Sequence, residues 1–262
     1  VYEHSTGFIK NYYSADNVKD ALDRAYKDPS VKGVLIQANT PGGTVAMSQE
    51  IYNSLIKLRK KKPVVVSMMD VVASGGYYIA SAADRIYAQP GTLTGSIGVI
   101  FNNFNAQELL NDKLGVKTNV IKSGKFKDIG SPYRNMSASE QDLLQDIVND
   151  TYEQFVSAIK NGRVDRNDNY KIEKTNLTVE NLRKYADGRI FTGEQAKKLG
   201  FVDKLGGLNE AEADLNKMAT AKFQLTGKLP LVKYNSPSGF GEFFLGIQQS
   251  FLGERDFLYS LL

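Results

Sequence analysis

The chain has 262 residues, 42% of them apolar, and a formal net charge of +4 that is spread along its length. It contains no cysteine and one histidine, His4, which excludes disulfides, thiolate catalysis, cysteine-ligated zinc and a histidine-rich metal site. No run of 18 apolar residues occurs, so no membrane-spanning helix is expected, and the mild, dispersed basic charge does not point to nucleic acid.

The predicted elements alternate. "SADNVKDALDRAYKD" carries apolar residues at helical spacing behind an N-cap candidate, Ser14. "VKGVLIQANT" reads as a buried strand, "PGGT" as a turn and "VAMSQEIYNSLIKLRKK" as a helix. The basic cluster "KLRKKK", Lys57 to Lys62, ends that helix, where cations suit the macrodipole. "KPVVVSMMDV" is a second buried strand, "SGGYYIASAAD" a helix and "RIYAQ" a short strand. The turn-rich "PGTLTGSIG" comes next, then a strand at "VIF", a helix at "NAQELLNDKLG" and a strand at "KTNVIKSG". This alternation predicts an α/β fold with a parallel sheet covered by helices.

From Ser137 the pattern becomes helical. "SASEQDLLQDIVNDTYEQFVSAIKNGR" is a long amphipathic helix with Ser137 and Glu140 as a capping box. "LTVENLRKYADG", "TGEQAKKLG" and "NEAEADLNKMA" are further helices, and Lys222 to Val232 a candidate strand. The tail, "GFGEFFLGIQQSFLGERDFLYSLL", is rich in Phe and Leu. No repeat or clean linker is visible. The expected organisation is one domain over residues 1–215 with a C-terminal extension over 216–262.

Three segments could carry chemistry. Ser74 follows a strand and precedes Gly75 and Gly76. A helix cap needs the serine but not two glycines, which cost helix stability. A nucleophile at a strand-to-helix corner gains from both, because small neighbours admit a substrate carbonyl and the Gly75 amide can face an oxyanion. "NTPGGT", Asn39 to Thr44, leaves the preceding strand at the same edge of the sheet. There a glycine amide, Gly43 by preference, could pair with that of Gly75. Such a serine needs a base. A Ser-His-Asp triad would depend on His4, close to the start of the sequence, so the choices are Lys, Asp or Glu, and lysine serves only if burial away from water favours its neutral form. "IKSGKFKD" offers Lys122, Lys125 and Lys127, and spacing alone does not choose among them. "GTLTGSIG" adds the hydroxyls of Thr94 and Ser96, either of which could orient an amine.

Taken together, "NTPGGT", "VVASGGYYIASAADRIYAQPGTLTGSIGVI", "IKSGKFKDIGSPYRNMS" and "ADGRIFTGEQAKKLGFVDKLGG" resemble, in this order, the signal peptide peptidase A family of serine proteases. The resemblance covers roughly residues 31–207. It implies a fold akin to the Clp protease and the crotonases, with stacked ββα units. It also implies a Ser/Lys dyad, with Ser74 as nucleophile, Lys127 as base, the Gly43 and Gly75 amides as oxyanion hole and Ser96 orienting the lysine. No cofactor or metal is implied.

By the same resemblance, the substrates would be signal-peptide remnants left in the membrane after secretion. The partners would be further copies in a ring, with active sites shared between subunits. An N-terminal membrane anchor, which this sequence does not show, would hold the catalytic part on the extracytoplasmic side of a bacterial membrane. A crotonase-type acyl-CoA enzyme using the same glycine amides is the competing expectation, and a silent assembly scaffold the third.

Overall fold

The computed structural model describes residues 15–165, 175–233 and 258–261. The cap expected at Ser14 and most of the aromatic tail lie outside these residues. The described chain forms two compact units, Val1–Gly98 with Phe155–Leu262, and Val99–Gln154.

The first unit holds the sheet. Helix α1 (Ala15–Lys27) leads to strand β1 (Gly33–Thr40), helix α2 (Val45–Arg59), strand β2 (Val64–Ala73) and the short helix α3 (Gly75–Ala80). Strands β3 (Arg85–Ala88) and β4 (Leu93–Gly95) follow. Beta-branched runs such as Val64–Val66 are buried to within 1% of full exclusion, as expected of strands covered on both faces. Lys62, the last residue of the basic cluster, is buried and donates to the carbonyls of Ala25 and Asp28 at the end of α1. The cluster therefore closes a helix rather than forming a free basic surface along its whole length.

β2 is the hub. It pairs in parallel with β1 on one side; on the other, Val65–Met68 pair with β3 and Val71–Ala73 with β4. Met69, between the two partners, has its carbonyl satisfied by the Thr92 hydroxyl at 2.7 Å. The β1–β2 register shifts between Ala38 and Thr40, and the Asn39 side chain accepts from the Val71 amide at 3.0 Å there. Such a bulge bends a strand and changes its partner. The segment expected only as a turn, "PGTLTGSIG", thus contributes β4, because the end of β2 needs a second neighbour.

Beyond the second unit the chain adds helix α5 (Val179–Tyr185), strand β5 (Ile190–Thr192), helix α6 (Gly193–Leu199), strand β6 (Lys204–Leu205) and helix α7 (Leu208–Phe223). Strands β7 (Leu231–Lys233) and β8 (Leu258–Leu261) complete it. The strand order is β5-β4-β2-β1-β8-β7, with β3 on β2 and β6 on β3. β5, β7 and β8 run antiparallel to their neighbours. Leu215, Met218 and Ala219 of α7 pack on Leu35, Val65 and Tyr87 of the sheet. α7 extends to Phe223, so the strand expected over 222–232 is reduced to β7, which begins at Leu231. The mostly parallel α/β architecture with alternating strands and helices agrees with the expected fold class.

The second unit departs from expectation. The strands read at "VIF" and "KTNVIKSG" are not formed, and "NAQELLNDKLG" makes only a short helical segment ending in a π-helical turn, Leu109–Lys113. Ile100 is 87% exposed and Phe104 73%. The apolar run "VIF", expected as a strand, instead carries outward-facing side chains at Ile100 and Phe101. The unit also contributes residues 138–154 to the long helix (Ala138–Ile159), counted here as α4. At its start, Glu140 accepts from the Ser137 amide at 2.8 Å and from the Ser137 hydroxyl at 2.9 Å. Only half of the expected capping box is therefore present, since Ser137 donates to Glu140 instead of accepting from its amide.

Candidate active site

Ser74 stands between β2 and α3 with φ 51° and ψ −124°. Few non-glycine residues tolerate this region, and such strain persists only where surroundings enforce it. Here they do. The Ser74 amide donates to the Gly95 carbonyl at 2.9 Å, and its carbonyl accepts from the Tyr78 amide at 2.9 Å. The Ser74 side chain makes no capping hydrogen bond. The helix-cap explanation is thereby removed: the backbone is held at both ends and the hydroxyl is left uncommitted.

The glycines are explained by packing. A Cβ on Gly75 would stand 2.5 Å from the Ser48 Oγ and 3.2 Å from the Gly43 amide nitrogen. A Cβ on Gly76 would stand 2.7 Å from Thr40 Cγ2. Gly42, at φ +123°, passes over the serine, and its Cβ would meet Ser74 Cβ at 2.9 Å and the Gly75 nitrogen at 3.0 Å. The loop after β1 therefore lies directly on the start of α3, bringing Gly43 and Gly75 together. Thr40 fixes that loop, its Oγ1 lying 3.2 Å from both the nitrogen and the oxygen of Gly42. Thr40, Gly42 and Ser48 act here as supports that motif reading alone did not single out. The signal available was a β-branched residue at the strand end beside a Pro-Gly-Gly turn.

Aromatic side chains anchor α3. Tyr77 is buried and donates to the Phe201 carbonyl at 2.8 Å, with burial pushing its hydroxyl well above the ordinary tyrosine range. Tyr78 packs on Tyr52 and Phe155. Of the two hydroxyls in "GTLTGSIG", Thr94 is buried and donates to the Val72 carbonyl at 2.6 Å, a structural bond. Ser96 also has positive φ, 49°, and its amide donates to the Arg189 carbonyl at 2.8 Å, while its side chain is half-buried. Ser74, Gly43, Gly75 and Ser96 all belong to the first unit.

Lys127 belongs to the second unit, in the turns that follow Gly124, where its amide donates to the Gly124 carbonyl at 3.1 Å. The three candidate lysines differ in their engagement. Lys122 donates to the Lys125 carbonyl and forms an ion pair with Asp128. Lys125 lies over the Phe126 ring, 4.9 Å from its centroid. Among the described residues, Lys127 has neither an ion-pair partner nor a ring contact. The Lys122 amine is thus tied to the Asp128 carboxylate at 2.5 Å.

This segment is braced by Arg134, which binds Asp128 at 2.7 and 2.9 Å and Glu140 at 2.5 and 2.8 Å. The Arg134 guanidinium, and next the Lys122 ammonium, hold the Asp128 carboxyl well below the usual carboxylate range. Arg134 and the Ser137 amide lower that of Glu140 to about 2.

Among the described residues, no group of three or more His, Asp or Glu side chains could hold a metal, and no helix is long and apolar enough to cross a membrane.

The sequence is similar to several known proteins. A "Putative protease" of Synechocystis sp. is 45% identical over 195 residues, covering 73% of this chain and 66% of that protein. A "Putative signal peptide peptidase SppA" of Enterococcus faecium is 35% identical over 240 residues, 91% of this chain and 65% of that protein. "Serine protease SPPA, chloroplastic" of Arabidopsis thaliana is 30% identical over 251 residues, 92% and 35%. The chain thus spans less than two thirds of the length of these relatives. The profile of peptidase family S49 matches residues 56–222, more than half of the sequence and a stretch containing Ser74, Ser96 and Lys127. The chain belongs to peptidase family S49.

Proposed function

We propose that this chain is a serine endopeptidase whose nucleophile is Ser74. The observation that carries the reading is the Ser74 corner: a strained, half-buried serine with an uncommitted hydroxyl, set against two closely packed glycine amides. Lys127 takes the hydroxyl proton as Oγ attacks a peptide carbonyl. The Gly43 and Gly75 amides receive the oxyanion. Lys127 then gives the proton to the leaving amine, and water attacks the acyl ester to free Ser74. Ser96 orients the lysine. The lysine must act as a neutral amine, a form favoured when substrate or a neighbouring chain excludes water from it.

The substrates proposed are apolar peptides such as signal-peptide remnants, in keeping with the Enterococcus relative's name, a putative signal peptide peptidase. The second unit supports that choice, and assembly of several copies in a ring, through its outward-facing Ile100, Phe101, Phe104 and Ile121. Placement at the extracytoplasmic face of a membrane belongs to the same proposal.

The test is hydrolysis of an apolar fluorogenic peptide, together with labelling by a fluorophosphonate. The Ser74→Ala variant should fold normally, lose labelling and lose turnover by about 10⁴-fold. Turnover that survives this change would remove Ser74 as the nucleophile, and coenzyme A thioester chemistry without covalent labelling would replace the protease by the crotonase-type alternative.

A further inference from the structure

A cavity of about 310 Å³ opens at the start of β3, lined by Arg85, Thr175, Asn176, Lys197 and Asp203 with Gly200 and Val202. Arg85 is paired with Val65 near the beginning of β2, whereas Ser74 follows its end. Roughly 25 Å of strand separates the two places, so the cavity is distinct from the candidate active site.

Its hydrogen-bonding groups are unbalanced. Acceptors of Asp203 and of the end of α6 are already engaged. Asp203 accepts from the Arg163 guanidinium at 2.6 Å with one oxygen and from the Ile86 amide at 2.7 Å with the other. The Gly200 carbonyl is taken by the Thr175 hydroxyl at 2.5 Å, and the Ala196 carbonyl at the end of α6 by the Phe201 and Val202 amides. The Arg85 guanidinium is less well engaged. Arg85 has a side chain only 9% exposed, yet among the described residues its Nε has no hydrogen-bond partner. Its ion-pair partner, Asp214 at 3.3 Å, is shared with the Lys204 ammonium at 3.3 Å and the Tyr87 hydroxyl at 2.8 Å. Behind Asp203, Arg163 keeps its Nε and one terminal nitrogen buried and unpartnered. Lys197 stands exposed on α6, while its neighbour Lys198 pairs with Glu194.

A buried guanidinium without hydrogen bonds is costly and calls for a partner. We propose that this cavity binds an oxyanion, a phosphate or carboxylate group, with Arg85 as its inner contact and Lys197 at the rim. A negatively charged, acceptor-rich ligand complements the Arg85 and Lys197 side chains that line the cavity, and Arg matches both groups in geometry. Phosphate and carboxylate share this chemistry, and titration distinguishes them.

The experiment is isothermal titration of the full chain with inorganic phosphate and, separately, with acetate, at constant ionic strength against a chloride control. Saturable binding of one anion at one site is expected, and the tighter of the two identifies the ligand class. Lys197→Ala, at an exposed position, should fold and weaken binding about tenfold, and Arg85→Gln should remove it. Ser74→Ala should bind the anion unchanged. Absence of saturable binding by either anion, binding unaltered in Lys197→Ala, or binding lost in Ser74→Ala would each overturn the assignment. If Arg85→Gln fails to fold, Lys197→Ala decides alone.

Discussion

Gly42 crosses Ser74 so closely that a Cβ on the glycine would lie 2.9 Å from the serine Cβ. At φ +123° the position also excludes side chains on conformational grounds. Gly42→Ala must therefore move the loop that carries Gly43. The expected result is a chain that folds with a loss of about 2 kcal/mol and turns over about a hundredfold more slowly. Thermal unfolding and peptide hydrolysis measured together check this. Unchanged turnover would remove Gly43 from the oxyanion assignment.

Gly75 and Ser48 should be coupled. Gly75→Ala places a methyl group 2.5 Å from the Ser48 hydroxyl and should cost about 1–3 kcal/mol. Ser48→Ala removes that oxygen, so the double variant should recover part of the loss. A double-mutant cycle of unfolding free energies reads the coupling directly. Strict additivity would show that the clash is relieved elsewhere.

The three lysines should separate by activity. Lys127→Ala should abolish turnover and leave Ser74 in place. Lys125→Ala should be close to the parent. Lys122→Ala should reduce turnover modestly, because it removes one of two cations from Asp128 and loosens the segment that carries Lys127. A crippling effect of Lys122→Ala with full activity in Lys127→Ala would reverse the assignment.

Acid should release the same segment. Asp128 and Glu140 titrate lower in the folded chain than in the unfolded one, through Arg134 first in both cases. Their contribution is therefore complete above the free carboxylate range near pH 4 and is lost as pH falls toward about 2. Protease accessibility of residues 122–140 should rise over that window and not between pH 5 and 8. In Arg134→Gln the segment should already be accessible at pH 7. Equal accessibility at pH 2 and pH 6 in the parent would show that Arg134 does not hold it.

The sequence exposed the first unit well because its strands are apolar runs between turn signals, and burial on both faces leaves that trace. It also marked the Ser74 corner, since two glycines after a serine fit packing better than helix propensity. It could not show the positive φ of Ser74 or the contact of Gly42 above it, which arise from long-range packing of β1 against β2. Lys127 is indicated by family resemblance, and only the structure shows that it has no carboxylate partner among the described residues. Val99–Phe101 and Val120–Ile121 misled because an apolar run carries no information about which surface covers it. Arg85 left no trace, since one basic residue opening a strand looks like any other.

β8 has a bearing on biosynthesis. β1 leaves the ribosome well before β8, yet Gly33 to Ile36 find one of their two neighbours in Leu258–Leu261. All of the sequence between the two strands must be translated before that flank is covered. Until then a nascent polypeptide presents open backbone amides and carbonyls beside β1, and chaperone attendance during synthesis is the natural safeguard against premature pairing with other chains.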